Sequence, residues 1–551
     1  MMNRRHSRSL LSYFLRVLLP IGAAVILINR FVPAPFPNDP KKRAEMAEAA
    51  GNTGPAEEQY LQLLAADSLD LELNRAFINA HFARPQGTGR RGSRDDSTIV
   101  LRYRAYVSDE NPAVRDVGNY CLGLCELKLN RFSSGFFFLD RVVNPKLPYL
   151  NNSKGFALQN MGRKDLAEHF FLKELEFGSN TEGAVSNLSR LYYERKDFRS
   201  LSDLRRNPAW GRFIPADILR FVLLHERAFR RYFLQWMEST LGHRLWDGIL
   251  AAFCILLLWL AYFIQIDVFE PERISTVLLT LGLGMLSCLL CTVLYDTAEY
   301  ALGFRLTGWP LNDLAFCIIG IGLIEETVKI VPVLMIVRFS RQVDESIDFV
   351  LYAAVSALGF AFIENLGYFH LSGLHRISGR ALSAVMVHMG LTSLVMYGYL
   401  LARHKGRRGA QAVFALSLAA ACVIHGLYDF CLIGDARFSG LFLLSFLILV
   451  LLVQGFGTAI NNSINISAFF DASKAERLRR MGRYLAYSLS YVVGFQYIVM
   501  AIRFGPANAN ADAAQNLVVA FVLVWIVWLH LGNFEIEKNK ILPLFRKIRT
   551  S

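Results

Sequence analysis

The chain reads as all-α: a polytopic transmembrane helix bundle of about ten spans with an extramembrane helical-repeat domain. Three observations predict that class. Of the 551 residues 53% are apolar, and they gather into runs of roughly 20, the length a bilayer requires of a helix. Between the first run and the rest lie about 200 residues of soluble composition, with helical amphipathicity and an internal period near 34. The formal charge is +13, but the basic residues collect in short loops between apolar runs and in the tail. That is the positive-inside distribution, so nucleic acid is discounted as a partner and the lipid bilayer takes its place.

Taken in order, residues 1–9 carry Arg4, Arg5 and Arg8, and an apolar stretch follows over 10–32. This first segment is an N-terminal transmembrane anchor or a cleaved signal; the lack of a small-x-small cleavage site favours the anchor. A Pro-rich linker at 33–40 leads into the soluble region, 41–240. Three stretches there align. Gly123-Leu124 through Phe132 matches Ala157-Leu158 through Leu166, and then Leu191-Tyr192 through Phe198, each a helix, a polar turn and a second amphipathic helix. The pattern resembles tetratricopeptide repeats, whose period is about 34 residues. Residues 84–97, rich in Gly and charge, read as a flexible loop. Cys121 and Cys125 sit one helical turn apart, a spacing of helix neighbours rather than of a disulfide.

Nine further spans are expected near 246–266, 274–294, 311–337, 347–369, 381–402, 411–433, 439–459, 484–502 and 515–532. We divide them into a core, 245–459, and a closing segment, 460–551, of two helices and a basic tail. The loops at 403–410 and 460–483 and the tail are basic, which places them and both termini in the cytoplasm and exports the repeat domain, as in a bacterial-type inner membrane. The loop at 267–273 falls on the cytoplasmic side yet carries Asp267, Glu270 and Glu272.

The chemistry lies in the apolar runs. Glu325 and Glu326 sit side by side with Lys329 close behind, and each charge at the bilayer centre costs at least ~2.5–3.5 kcal/mol. Glu325 and Lys329 share a helix face at i, i+4, while Glu326 points about 100° away. Gly320 and Gly322 should admit a neighbouring helix, and Pro332 should break or kink the helix after the motif. The next span offers the small residues Ser356, Ala357, Gly359 and Ala361, then Glu364 and Asn365. His388 and Thr392 share a face on the following span, and His425 and Asp429 are i, i+4 on the one after. By the topology above, Glu364, His388, His425 and Asp429 lie toward the outer side and Glu325 deeper, so all could line one wet cavity. A buried carboxylate there suits water activation, with histidines, Asn365 or Lys329 as donors to an oxyanion. Each group alone could equally be interhelical glue. An ion- or proton-coupled transporter also needs such residues, and a non-catalytic receptor or immunity protein could keep the fold only.

Glu325-Glu326-Thr-Val-Lys329, Phe360-Ala-Phe-Ile-Glu364-Asn365 and His425-Gly-Leu-Tyr-Asp429 resemble the EExxK, FxxxEN and HxxxD motifs of the PrsW-type intramembrane proteases, in the same order and on successive spans. That family is similar to the CAAX-prenyl endopeptidases and bacteriocin-immunity membrane proteins. The resemblance covers about 311–433. It implies peptide-bond hydrolysis on a membrane-anchored protein substrate, with Glu325 and Glu326 catalytic and Glu364, His388 and His425 supporting or ligating. Those last three could form an open zinc site, and glutamate-activated water without metal is the alternative. The resemblance says nothing of 41–240, where a repeat domain is expected to bind a protein or peptide.

Overall fold

The computed structural model describes residues 12–36, 38–83, 96–241, 246–371, 373–404, 409–433 and 441–544. Most of the expected loop at 84–97, four residues of the basic loop at 403–410, and the end of the tail lie outside them. Every element among the described residues is helical. The chain divides into two compact units, 34–242 and a second formed by 1–33 with 243–551, so the N-terminal segment and the closing helices join the core in one body.

In the unit at 34–242, helices pair across tight turns. Pro112–Lys128 is followed by Phe132–Asp140, Leu150–Asn160 by Lys164–Phe177, and Thr181–Glu194 by Phe198–Arg206. Each turn places one residue in the left-handed region, Asn130, Gly162 and Lys196. Each closes with the same bond from an amide to a carbonyl five residues back, Arg131 to Glu126, Arg163 to Leu158 and Asp197 to Tyr192. Two further pairs, Pro40–Ala49 with Thr53–Ala66 and Ala216–His225 with Phe229–Leu241, turn the same way at Gly51 and Arg227. Gly123 faces the Leu139 side chain and Gly155 faces Phe171, so these glycines set how closely paired helices approach. Cys121 and Cys125 are buried on one helix and are not joined in a disulfide.

Among the described residues of the second unit eight helices are long and apolar enough to cross a membrane: Trp246–Ile266, Ile274–Leu302, Ser346–Phe369, Leu374–His404, Ala410–Ile433, Leu441–Asn465, Ala472–Phe504 and Pro506–Leu531. The two other expected spans are helical but irregular. The N-terminal one is a π-helical turn, Phe14–Leu18, and a helix, Leu19–Phe31. Tyr13 and Asn29 tie it to Ser490 and Tyr497 of the Ala472–Phe504 helix. The other runs from Pro310–Ala315 through a π-helical stretch, Phe316–Leu323, into Ile324–Phe339, which carries Glu325.

Two local expectations need correction. The Glu325 helix does not break after the motif; it continues through Pro332 to Phe339. Proline removes one amide donor only, the one that would reach the Val328 carbonyl, and the helix holds on either side of it, with the Ser356 hydroxyl donating to the next carbonyl, that of Lys329 (2.7 Å). The irregularity precedes the motif instead, in the π-helical stretch. Of the two glycines there, only Gly322 abuts a neighbouring backbone, at the Cys422 carbonyl; Gly320 faces the Phe316 and Phe304 rings. Gly426 answers from the other side, against Ile318, so the His425 helix and the Glu325 segment meet backbone to backbone. The small residues of the Glu364 helix do the same against Ile274–Leu302, with Gly359 on the Leu281 carbonyl and Gly284 on that of Ser356.

Candidate active site

The four polar spans converge. The Glu325 helix, the Glu364 helix (Ser346–Leu371), the His388 helix (Val385–His404) and the His425 helix (Ala410–Ile433) surround a cavity of about 780 Å³ lined by Glu325, Glu364, His388, His425 and Asp429. Glu326, Lys329 and Asn365 are buried behind it.

Glu326 is the structural hub. Its carboxylate accepts from Lys329 Nζ (2.6 Å), from His425 Nδ1 (2.7 Å) and from the Thr392 hydroxyl (3.0 Å). The expected divergence from Lys329 is therefore wrong in effect. The long lysine stem lets Nζ reach Glu326 at i, i+3 more closely than Glu325 at i, i+4 (3.3 Å). Lys329 is fully buried, also donating to His388 Nδ1 (3.0 Å) and standing 4.8 Å from the Phe360 ring centroid. It cannot meet an oxyanion in the cavity. Asn365 cannot either: it is buried and accepts from Arg380 Nε (2.6 Å).

Glu325 faces the cavity. Tyr295 donates to its Oε1 (2.7 Å), and its Oε2 lies 3.7 Å from His388 Nδ1 and 3.6 Å from His425 Nε2. Each imidazole is held by a carboxylate on its other nitrogen. His388 Nε2 donates to Glu364 Oε2 and His425 Nδ1 to Glu326 Oε1, both at 2.7 Å. Those bonds fix the tautomers and turn His388 Nδ1 and His425 Nε2 toward Glu325. Asp429 is 3.4 Å from His425 Nε2.

The metal-ligand set expected from sequence changes by one member. Ligand atoms of Glu325, His388 and His425 lie within 4.8 Å of one another, and Glu364 is not in that group. Glu364 stands behind His388 and is also gripped by Arg380 Nη2 (2.6 Å). Two imidazoles and one carboxylate, each imidazole backed by a carboxylate, is a donor set that suits an open zinc site once Lys329 Nζ gives up the His388 Nδ1 lone pair that it occupies here. The charge balance agrees. Four carboxylates (Glu325, Glu326, Glu364, Asp429) face two permanent cations (Lys329, Arg380), a deficit that a divalent ion or two imidazolium protons would cancel.

Sequence reasoning missed Tyr295 and Arg380. Both lie one residue outside an expected span, where an aromatic or arginine reads as an interface anchor. The helices extend past those limits, Ile274–Leu302 to include Tyr295 and Leu374–His404 to include Arg380. Arg380 opens a third π-helical segment, Arg380–Ala384, and also covers the Tyr368 ring at 4.1 Å.

Residues 272–455 match the family described as "PrsW family intramembrane metalloprotease". The chain is similar to Protease PrsW of Geobacillus kaustophilus, with 32% identity over 193 residues, 34% of this chain and 81% of that protein. It is also similar to Protease PrsW of Bacillus subtilis, with 30% identity over 174 residues, 31% of this chain and 77% of that one. No solved structure matches it. The family match leaves the unit at 34–242 outside.

Proposed function

We propose a function on the ground that the chain belongs to the PrsW protease family: it is an intramembrane endopeptidase that cuts membrane-anchored proteins near the outer leaflet. One observation carries the reading, the convergence of Glu325, His388 and His425 on one cavity walled by apolar helices. Glu325 acts as general base. It takes a proton from a cavity water as that oxygen bonds to the scissile carbonyl carbon, and returns it to the departing amine as the C–N bond breaks. Arg380, which lines the cavity, and Tyr295, whose single hydroxyl proton is released from Glu325 once that carboxylate has taken the water proton, are the donors to the developing oxyanion in place of Lys329 and Asn365. As the alternative to Glu325 acting as base, Glu325, His388 and His425 would hold a zinc ion, which would itself polarise the carbonyl and lower the pKa of water. Glu364, Glu326 and Asp429 orient the two imidazoles whether or not the ion is there.

The basic loops support an orientation with both termini cytoplasmic and the repeat unit exported. That unit contains a groove of about 490 Å³ where Arg75, Lys128 and Asn152 stand beside Leu124, Leu127 and Phe156. Basic and amide side chains beside an apolar wall suit an extended peptide with acidic and apolar residues, so the repeats select the substrate.

The test is cleavage of a membrane-anchored peptide by detergent-purified protein, with metal analysis alongside. Glu325→Gln should fold normally and lose cleavage by about 10²–10⁴-fold. Retained cleavage would remove Glu325 from the chemistry, and Glu325-dependent proton flux in liposomes without cleavage would favour a transporter. Arg75→Ala should leave a short peptide unaffected while raising KM a few-fold for a full-length substrate. Equal KM for both would dismiss substrate selection by the repeats.

A further inference from the structure

A second group of acids lies in the same helical unit, away from the cavity. Asp267 follows the Trp246–Ile266 helix, Glu345 precedes Ser346–Leu371, and Asp348 lies in that helix's first turn. All three are buried, at 5%, 2% and 0% exposure. Each offers a carboxylate oxygen, and the three oxygens lie within 4.8 Å of one another. Among the described residues no lysine or arginine forms an ion pair with any of them. Lys474, in the first turn of the Ala472–Phe504 helix, donates to the Phe269 carbonyl (2.6 Å).

The oxygens divide their work. Asp267 Oδ2 accepts from the Glu272 amide (2.6 Å), and Asp348 Oδ2 from the amides of Asp344 (3.0 Å) and Glu345 (2.7 Å). One oxygen of each aspartate therefore shapes its own loop. The other oxygens, Asp267 Oδ1 and Asp348 Oδ1, accept nothing. Both Glu345 oxygens also lack a hydrogen bond of normal geometry, although Ser467 and the Glu270 backbone favour its charge. Buried carboxylate oxygens left unpaired cost several kcal/mol each unless something neutralises them. Beside Asp267 and Glu272 is a space of about 20 Å³, room for one water.

We propose that Asp267, Glu345 and Asp348 form a binding site for a hard divalent cation, Mg²⁺ or Ca²⁺, that clamps the loops at 267–273 and 340–346. An all-oxygen set suits such ions, where the nitrogen-rich set at Glu325 suits zinc. Glu272, held by the Tyr352 hydroxyl at 2.5 Å, completes the surroundings, and the adjoining space would admit one water ligand. The site also accounts for acids in a loop on the side where basic residues prevail.

Full-length protein in detergent, stripped with EDTA, is titrated with Mg²⁺ and separately with Ca²⁺ while its melting temperature is followed. One of the ions should raise Tm by about 5 °C in wild type. The shift should persist in Glu325→Gln, which alters the other centre. It should fall below about 1 °C in Glu345→Gln, which loosens no loop bond, and in Asp267→Asn, whose amide oxygen can still accept from Glu272. No shift in wild type, an undiminished shift in both variants, or a shift lost only in Glu325→Gln would overturn the site. So would a cation-independent rise in wild-type Tm on acidification with no metal effect, since the acids would then be neutralised by protons alone.

Discussion

Around Glu325 and Glu326 the buried carboxylates meet a lysine, an arginine, imidazoles and hydroxyls, so two of the four negative charges are answered by permanent cations of the chain and imidazoles stand beside the others. Around Asp267, Glu345 and Asp348 the partners are backbone amides of the same loops, and no basic side chain answers the charge. The two groups occupy different depths of the same unit. The first sits inside apolar helices, where an uncompensated charge has no water to fall back on, so its counter-charges come from the chain. The second sits at helix ends, where loops can fold over an ion drawn from solution. Burial alone does not make a catalytic centre. The first group opens on a cavity and presents nitrogen donors; the second is closed and presents oxygen only.

The contrast can be broken most directly at its lysines. Lys329→Met should cost about 3–5 kcal/mol of stability, because Glu326 would be left buried with its main counter-charge gone. Lys474→Met, which removes a bond to one carbonyl, should cost about 1 kcal/mol. Equal costs in denaturant unfolding would dissolve the distinction between internally and externally balanced charge. The double variant Glu326→Gln with Lys329→Met should recover part of the loss.

A smaller effect is expected at Glu364. Glu364→Gln keeps an oxygen near His388 but weakens its hold on the ring, and should lower zinc affinity and cleavage by about 10–100-fold. Unaltered zinc binding with unaltered cleavage would show that Glu364 only pairs with Arg380. Smallest is a pH effect at the second group. Burial pushes Asp267 up to about 7 and raises Glu345 and Glu272; the charges facing them are Glu270, Asp344, Asp348 and, nearby, Lys474. A carboxyl raised in the folded state contributes stability that is full below its unfolded pKa and is lost as pH rises through the folded value. Cation-free protein should therefore lose about 3–5 °C of Tm between pH 4 and pH 7, and saturating cation should flatten that slope. A flat profile in EDTA would mean that these acids carry no unbalanced charge.

Much of this was legible along the chain because it depends on local composition and period. Among the described residues the long apolar runs are helical, and the left-handed turns at Asn130, Gly162 and Lys196 fall at the polar residues between paired amphipathic helices. The motif residues were legible because a charge in an apolar run stands out whatever its partners. Partnership itself was not. That Lys329 prefers Glu326 follows from the reach of its stem, and that Glu325 replaces Glu364 among the metal-ligand candidates follows from how two imidazoles are turned. Tyr295 and Arg380 escaped because hydropathy ends a span before the helix ends.

Sequence alone decided that this chain is helical, crosses a membrane many times and carries acids and histidines where they are costly, since hydrophobic periodicity and insertion energy act residue by residue. Only the folded arrangement decided which of those groups meet. The π-helical stretches before Glu325 and His388 rotate the faces that follow away from simple helical register. Gly322 and Gly426 then bring two backbones close enough for side chains about 100 residues apart to share a proton or an ion. Asp267 and Glu345 meet for the same kind of reason: loops distant in sequence are brought together by helices that pack, and no pattern within either loop records it.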